Sequence, residues 1–558
     1  MEICKSIKVT TMKIALAQLN YRIGDFEGNS AKIIGAITQA KDEGAHLVVF
    51  SELAVTGYYP HDLLEKKEFI AKAEETIRSI AAHCKGIAAL VGGPAINQSA
   101  TGKKLFNAAW YLADGQVKDM FYKSLLPTYD VFDEYRHFEP NREFRLLESG
   151  GLRIAVTICE DVWDEQPTFS SFGKDKIYSV SPLQELSFLK PDLIINLSAS
   201  PFSHNQEAWR KDILVNKART SGLPLVYVNQ VGAHAEMIFD GGSMVIGGDG
   251  EISHEMRYFE EDFRVVDLDL AGESHIQPVR ETTAKIHDAL VLGIRDYFHK
   301  SGFTKATLGL SGGIDSAVVA VLAVRALGAE NVRVLLMPSR YSSGHSVDDA
   351  RILAENLGIR YDIVPIHEAV ESFERGLASI FEGLEPDVTE ENIQARARGI
   401  YIMALSNKFG HIVLNTTNKS ECAVGYGTLY GDMNGGLAVL GDVYKMEVYR
   451  LARYMNRDRE IIPENSIVKP PSAELRPGQK DSDSLPEYPI LDDILYHFIE
   501  MNESPAEIAA LGHDPALIAK VIRMVNINEY KRFQAAPILR VTSKAFGTGR
   551  KMPLVAKF

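Results

Sequence analysis

The chain has 558 residues, 46% of them hydrophobic and 24% charged, with a formal net charge of −14. That length is too great for one core and predicts two large domains, while the acidic balance excludes a general nucleic-acid binder, whose affinity for phosphates grows with accumulated Lys and Arg. No apolar run reaches the length of a membrane span and the opening residues lack a signal-peptide core, so the expected address is the cytoplasm, with no membrane partner. Cys4, Cys84, Cys159 and Cys422 show neither metal-ligand spacing nor the density of a disulfide framework, so each is judged singly.

In chain order, residues 1–11 are read as an extension before Met12, or as a mis-chosen start. Residues 13–20 and 46–53 are β-like, with a helical pattern at 29–43 between them, and further strands are predicted at 87–93, 105–112, 152–158 and 192–197. Three polar residues follow such runs: Glu52 after Leu47-Val48-Val49-Phe50, Lys123 after Tyr122, and Cys159 after Ile154-Ala155-Val156-Thr157-Ile158. A thiol is a good nucleophile only as thiolate and needs a base or a cation beside it. A Glu, a Lys and a Cys supply that set, although each alone also fits an ordinary buried or surface role. Together, in this order and these contexts, they resemble the nitrilase superfamily of carbon–nitrogen hydrolases. The resemblance spans about 12–270 and implies an α-β-β-α sandwich in which catalytic Glu52, Lys123 and Cys159 converge.

Pro127-Thr128-Tyr129-Asp130-Val131-Phe132-Asp133-Glu134 is similar to a segment of the glutamine-hydrolysing members, which implies that Tyr129 touches glutamine. Asn196-Leu197-Ser198-Ala199-Ser200-Pro201-Phe202-Ser203 resembles their second substrate loop and implies a contact from Ser200. Six residues later the family has Lys or Arg, whereas this chain has Gln206; either a neighbour such as Arg210 replaces the charge, or the substrate carboxylate is held differently. Residues 168–189 look like a surface insertion. Strand signals continue at 225–228 and 242–246, and 271–280 reads as a linker, polar and pattern-poor.

A helical pattern over 281–299 leads into an apolar run at 306–310 and then Gly309-Leu310-Ser311-Gly312-Gly313-Ile314-Asp315-Ser316, followed by a further helical pattern. Glycines at a strand-to-helix turn offer bare N–H groups and a helix N-terminus to an anion. Asp315 beside phosphates calls for a divalent cation between them. The loop lacks the Lys-Ser/Thr pair of the Walker pattern and resembles instead the loop of the ATP pyrophosphatases, which release pyrophosphate and leave AMP on an acceptor. Strands at 332–337 and 361–365, a helix at 347–357, a helix at 391–407 and a strand at 411–415 give the β-α-β order of a doubly wound parallel sheet, whose ligands collect at the carboxyl ends of its strands. Glu421, just past the last of these strands, is placed to share Mg²⁺ with Asp315; its bland alternative is a helix N-terminal charge in solvent.

The stretches 416–421, 431–436, 469–475, 481–486 and 528–532 resemble the synthetase part of glutamine-dependent NAD synthetases, over about 281 to the C-terminus. That resemblance places Thr416 on ATP and Asn392, Glu421 and Lys531 on deamido-NAD. It also turns the proline-rich 462–489, a flexible linker by composition, into a loop near the active site. For Asn392 and Lys531 the plain alternatives are a helix cap and a solvated charge. The expected architecture is therefore α/β: a nitrilase-like α-β-β-α sandwich at 12–270 and a doubly wound, Rossmann-like ATP pyrophosphatase domain at 281–558. The expected ligands are glutamine, ATP and deamido-NAD with Mg²⁺, and the expected assembly is a homo-oligomer without nucleic acid. Another glutamine-fed ATP pyrophosphatase with a different acceptor, and a catalytically inactive glutamine and nucleotide sensor, are the alternatives.

Overall fold

Alternation along the strands builds the first of two units, Met1–His234 with Phe239–Val279, in a computed structural model that describes residues 12–164, 177–268 and 274–556. The extension at 1–11, much of the insertion at 168–189 and part of the linker lie outside the described residues. One sheet has the order β14-β1-β2-β3-β4-β5, from β1 (Lys13–Gln18), β2 (Leu47–Val49), β3 (Ala88–Ile96), β4 (Leu105–Ala113), β5 (Gln116–Tyr122) and β14 (Asp262–Asp267). The other has the order β13-β12-β9-β8-β7-β6, from β6 (Leu147–Ser149), β7 (Leu152–Ile158), β8 (Leu193–Ser198), β9 (Leu225–Asn229), β12 (Met244–Ile246) and β13 (Ile252–Glu255). Strands β10 (Val231–His234) and β11 (Met237–Asp240) form a separate two-stranded sheet.

Ile14, Leu16, Leu47 and Val49 share one apolar cluster with Ile154, Val156, Ile158, Leu193, Ile195 and Leu197, so the two sheets pack face to face. Their neighbours in sequence point outward: Ala15, Ala17 and Val48 meet the helices Phe26–Asp42 and Lys67–Ala81. On the other side, Ala155 and Ile194 meet the helix Gln206–Ser221. Period-two side-chain alternation thus yields four layers, α-β-β-α. β2 is shorter than the expected 46–53. It stops at Val49, and the chain turns through Leu53 at φ +48°. Gly92 permits that turn, because a Cβ there would lie 2.3 Å from the Ser51 carbonyl oxygen.

The second unit, Ala235–Ile238 with Arg280–Phe558, carries a wholly parallel sheet of order β17-β16-β15-β18-β19. Its strands are β15 (Ala306–Gly309), β16 (Val332–Leu336), β17 (Arg360–Ile363), β18 (Ile412–Asn415) and β19 (Leu437–Ala438). Strand order runs outward from β15 in both directions, so the loops leaving β15 and β18 diverge and open a crevice at their carboxyl ends. The helix that follows β15, Ile314–Leu327, is apolar almost all round and buried from Ser316 to Ala323, as a central helix must be. The expected helix at 391–407 in fact runs Val388–Phe409 and is capped by Asp387, whose side chain accepts from Thr389 N; Asn392 lies inside the helix and does not cap it. A helical C-terminal layer, including Tyr488–Ile499 and Pro515–Ile527, packs on the short helix Lys419–Val424 around its own apolar cluster.

Candidate active sites

In the first unit Glu52, Lys123 and Cys159 come together at the ends of β2, β5 and β7. Lys123 and Glu52 are wholly buried and joined by a 2.7 Å ion pair from Lys123 Nζ to Glu52 Oε1. Lys123 Nζ makes an equal 2.7 Å pair with Glu134 Oε1. Glu134 also accepts from Tyr58 Oη at 2.7 Å, and Asn107 Nδ2 donates to Glu52 at 2.7 Å. Burial pulls the ammonium of Lys123 down, but Glu134 and Glu52 more than offset it and hold the group charged. Burial raises Glu134 to about 7 against the pull of Lys123.

Cys159 sits on the turn after β7 at φ +44°, a backbone strain of the kind that marks functional turns. Asp161 fastens this turn to the Lys123 segment by accepting from the backbone N–H groups of Ser124, Leu125 and Ile158 at 2.9, 2.9 and 3.0 Å. Burial first, and the negative charge of Glu52 second, push the Cys159 thiol well up, while Lys123 pulls it back. A neutral thiol beside a carboxylate base and an ammonium is the arrangement of a nucleophile activated by proton transfer at the moment of attack.

The expected substrate residues gather here unevenly. Tyr129 Oη donates to Glu160 Oε1 at 2.8 Å, as does Tyr178 at 2.9 Å, and burial lifts Glu160 to about 7. Ser200 is buried, its N–H donating to Asn229 Oδ1 at 2.9 Å, and the preceding Ala199 N–H donates to Glu52 Oε2 at 3.1 Å. Gln206 opens the helix Gln206–Ser221. Arg210 does not replace the missing charge: it is fully buried and its guanidinium forks onto Asp240 at 3.0 and 2.7 Å. Glu134 closes the segment 127–134 and Glu160 directly follows Cys159, so two further carboxyls flanking the reactive segments were the available sequence signal.

In the second unit a cavity of about 320 Å³ opens at the carboxyl ends of β15 and β18. Every residue of 309–316 except Gly312 lines it, with Thr416 and Glu421. Gly312 has φ +80°, and a Cβ there would lie 2.1 Å from the Ser346 carbonyl oxygen. Ser311 Oγ accepts from Gly313 N at 3.1 Å, and Ser316 Oγ donates to the Gly313 carbonyl at 3.0 Å, so the loop is braced by its own hydroxyls. Asp315 accepts from Asn418 Nδ2 at 2.9 Å and from Lys445 Nζ at 2.6 Å, and Lys445 Nζ is also 3.5 Å from Glu421 Oε1. Glu421 closes a capping box with Asn418, so its helix-terminal role is real; the carboxyl is nevertheless largely buried against the cavity rather than free in solvent. Burial and then Asp315 raise it to about 8. Two carboxyls crowded into one cavity suit a hard divalent cation.

Lys445 carries no local sequence signal; it is the first residue of the helix Lys445–Met455, outside the loop motifs. The proline-rich segment does line the cavity through Pro470, Pro471, Ser472, Glu474 and Asp481. Asn392 and Lys531 do not; they meet on another loop, where Asn392 Oδ1 accepts from Thr428 Oγ1 at 2.7 Å and Lys531 Nζ donates to the Gly425 and Gly427 carbonyls at 2.7 Å each. Lys531 is therefore half-buried and engaged, unlike a solvated tail charge.

A protein-family profile described as carbon-nitrogen hydrolase matches residues 13–276, and one described as NAD synthase matches 286–535. A glutamine-dependent NAD(+) synthetase of Synechocystis sp. is 46% identical over 98% of this chain and 99% of its own. One of Thermotoga maritima is 43% identical over 98% and 99%. Among solved structures, the glutamine-dependent NAD+ synthetase of Acinetobacter baumannii in complex with adenosine diphosphate superposes with a TM-score of 0.77, at 40% identity and 98% coverage of both chains.

Proposed function

The chain belongs to the glutamine-dependent NAD(+) synthetases, and from that premise we propose how its own residues convert deamido-NAD to NAD with ammonia drawn from glutamine. Residues 12–270 are assigned the glutaminase, 281–558 the synthetase, and 271–280 the link between them.

Glu52 takes the proton of Cys159, and the thiolate sulfur bonds to the side-chain amide carbon of glutamine. Lys123, kept charged by Glu134 and Glu52, stabilises the negative charge that grows on the amide oxygen. Glu52 returns the proton to the departing nitrogen, ammonia leaves, and water deprotonated by Glu52 cleaves the glutamyl thioester to glutamate. Tyr129 and Ser200 line the glutamine subsite, with Gln206 at its edge.

In the second unit the braced loop 309–316 and Thr416 hold ATP, while Asn392, Glu421 and Lys531 serve deamido-NAD. Asp315 and Glu421 would hold Mg²⁺, which supplies charge neutralisation on the phosphates when bound. The nicotinate carboxylate of deamido-NAD attacks the α-phosphorus, pyrophosphate leaves, and the acyl adenylate forms. Ammonia then adds to the activated carbonyl, loses a proton, and expels AMP to leave the amide. The observation that carries this reading is the presence in one chain of a buried cluster of Glu52, Lys123, Glu134 and Cys159 and of a cavity lined by the 309–316 loop, Thr416 and Glu421.

The direct test supplies glutamine with an isotope-labelled amide nitrogen, Mg-ATP and deamido-NAD. The expected products are labelled NAD with matching AMP, pyrophosphate and glutamate. Pyrophosphate release without deamido-NAD, or NAD without the label, would overturn the reading. A homo-oligomer in the cytoplasm, free of nucleic acid and membrane, completes the proposal; among the described residues no helix is long and apolar enough to cross a membrane. Light scattering of the full chain tests the assembly.

A further inference from the structure

We propose that Asp62, Glu65 and His137 bind one divalent transition-metal ion, Zn²⁺ or a close chemical equivalent, at a site apart from both reaction centres. Asp62 and Glu65 lie on the short 3-10 turn His61–Glu65, and His137 directly follows the turn Glu134–Arg136. One ligand atom from each residue lies within 4.8 Å of the others. His137 Nε2 is 3.4 Å from Asp62 Oδ1 and 3.8 Å from Glu65 Oε1. In a tetrahedral zinc site with bonds of about 2.1 Å, ligand atoms stand about 3.4 Å apart, so small movements of two exposed carboxylates complete the geometry.

The second observation is the imidazole itself. Its side chain is only 5% exposed, yet Nε2 has no hydrogen-bond partner. Nδ1 lies 2.7 Å from Tyr59 Oη, and that hydroxyl donates its own proton to the Asp133 carbonyl at 3.3 Å. In the tautomer in which Nδ1 donates to Oη, Nε2 presents a lone pair beside two carboxylates. A lone pair facing two anions is repulsive unless a cation stands between them. One imidazole and two carboxylates, with the ring orientation fixed from behind by Tyr59, are a donor set for a borderline metal with positions left for water. Arg136 competes for the same acids, with Nη2 3.1 Å from Asp62 and 3.8 Å from Glu65. It is half-exposed and can swing into solvent when the ion enters.

The location gives the ion a task. Tyr58 bonds Glu134 and Tyr59 bonds His137, so two adjacent tyrosines already join the 58–65 segment to the one that delivers Glu134 to Lys123. The ion fastens the outer end of that seam.

Co²⁺, whose visible absorption reports coordination geometry, is titrated into the full chain, into Asp62→Asn/Glu65→Gln, into His137→Gln and into Cys159→Ala. The expected result for the native chain is one ion of low coordination number without a thiolate charge-transfer band, displaced by Zn²⁺. Affinity should be unchanged in Cys159→Ala and weakened at least about tenfold in the other two variants. The paired carboxamides replace exposed side chains, and an unchanged metal-free melting curve confirms that the variant is folded. No binding by the native chain, equal affinity in the paired variant, or a thiolate band that vanishes in Cys159→Ala would each overturn the proposal.

Discussion

Glu134→Gln keeps the shape of the side chain but leaves the buried ammonium of Lys123 with one carboxylate in place of two. Breaking a buried charge pair costs about 3–5 kcal/mol, and here much of that loss falls on the orientation of Lys123 toward the developing oxyanion. Glutamine hydrolysis is expected to fall at least about a hundredfold, with synthesis from ammonium near normal; parallel assays with the two nitrogen donors check this. Glu160 gives a second expectation. It adjoins Cys159, is touched by Tyr129, and titrates at about 7 because it is buried. Its ionised form would attract the α-ammonium of glutamine, so KM for glutamine should rise as pH falls below about 7. That limb should flatten in Glu160→Gln; an unaltered limb would assign the titration to another group.

Gly312 shows what the nucleotide loop demands as an element. Gly312→Ala must place a Cβ against the Ser346 carbonyl oxygen at a positive φ, and the strain of about 1–3 kcal/mol can be relieved only by shifting the loop. The expected outcome is a raised KM for ATP and a lower melting temperature, with glutamine hydrolysis unaffected. At this scale the strands, the parallel β-α-β order and the glycine turn were legible as local signals, whereas the sandwich and the Cys159 turn were legible only through the resemblance to the nitrilase superfamily. The partners that complete them were not. Lys445 reaches Asp315 from 130 residues away and Glu134 becomes a ligand of Lys123 only through a loop, and no local pattern marks a residue that is buried by a distant one. Arg210 failed as a substitute cation for the same reason: Asp240, the acid that claims it, lies 30 residues on. β2 ended early because its last expected residues had to turn to present Glu52.

For the molecule as a whole, two sites built in separate units predict separable losses. Cys159→Ala should abolish synthesis from glutamine and spare synthesis from high ammonium, whereas Asp315→Asn should remove both by at least about a hundredfold, since charge neutralisation on the phosphates is needed whatever the nitrogen source. Equal losses in Cys159→Ala with either donor would refute the division of labour. The buried carboxyls of the first unit also bear on folding. Glu134 and Glu160 are raised from the ordinary 4.5 to about 7, chiefly by burial. Between those values the folded chain binds protons that the unfolded chain has released, so stability falls as pH rises from about 4.5 to 7 and is flat above. Melting followed from pH 5 to 8 should show the glutaminase unit losing resistance to heat on the alkaline side, and Glu160→Gln should blunt that slope. Glutamine binding strengthens over the same interval in which the fold weakens, so resting enzyme kept without substrate near neutrality would denature sooner than enzyme stored mildly acidic, and glutamine in the buffer would be its natural preservative.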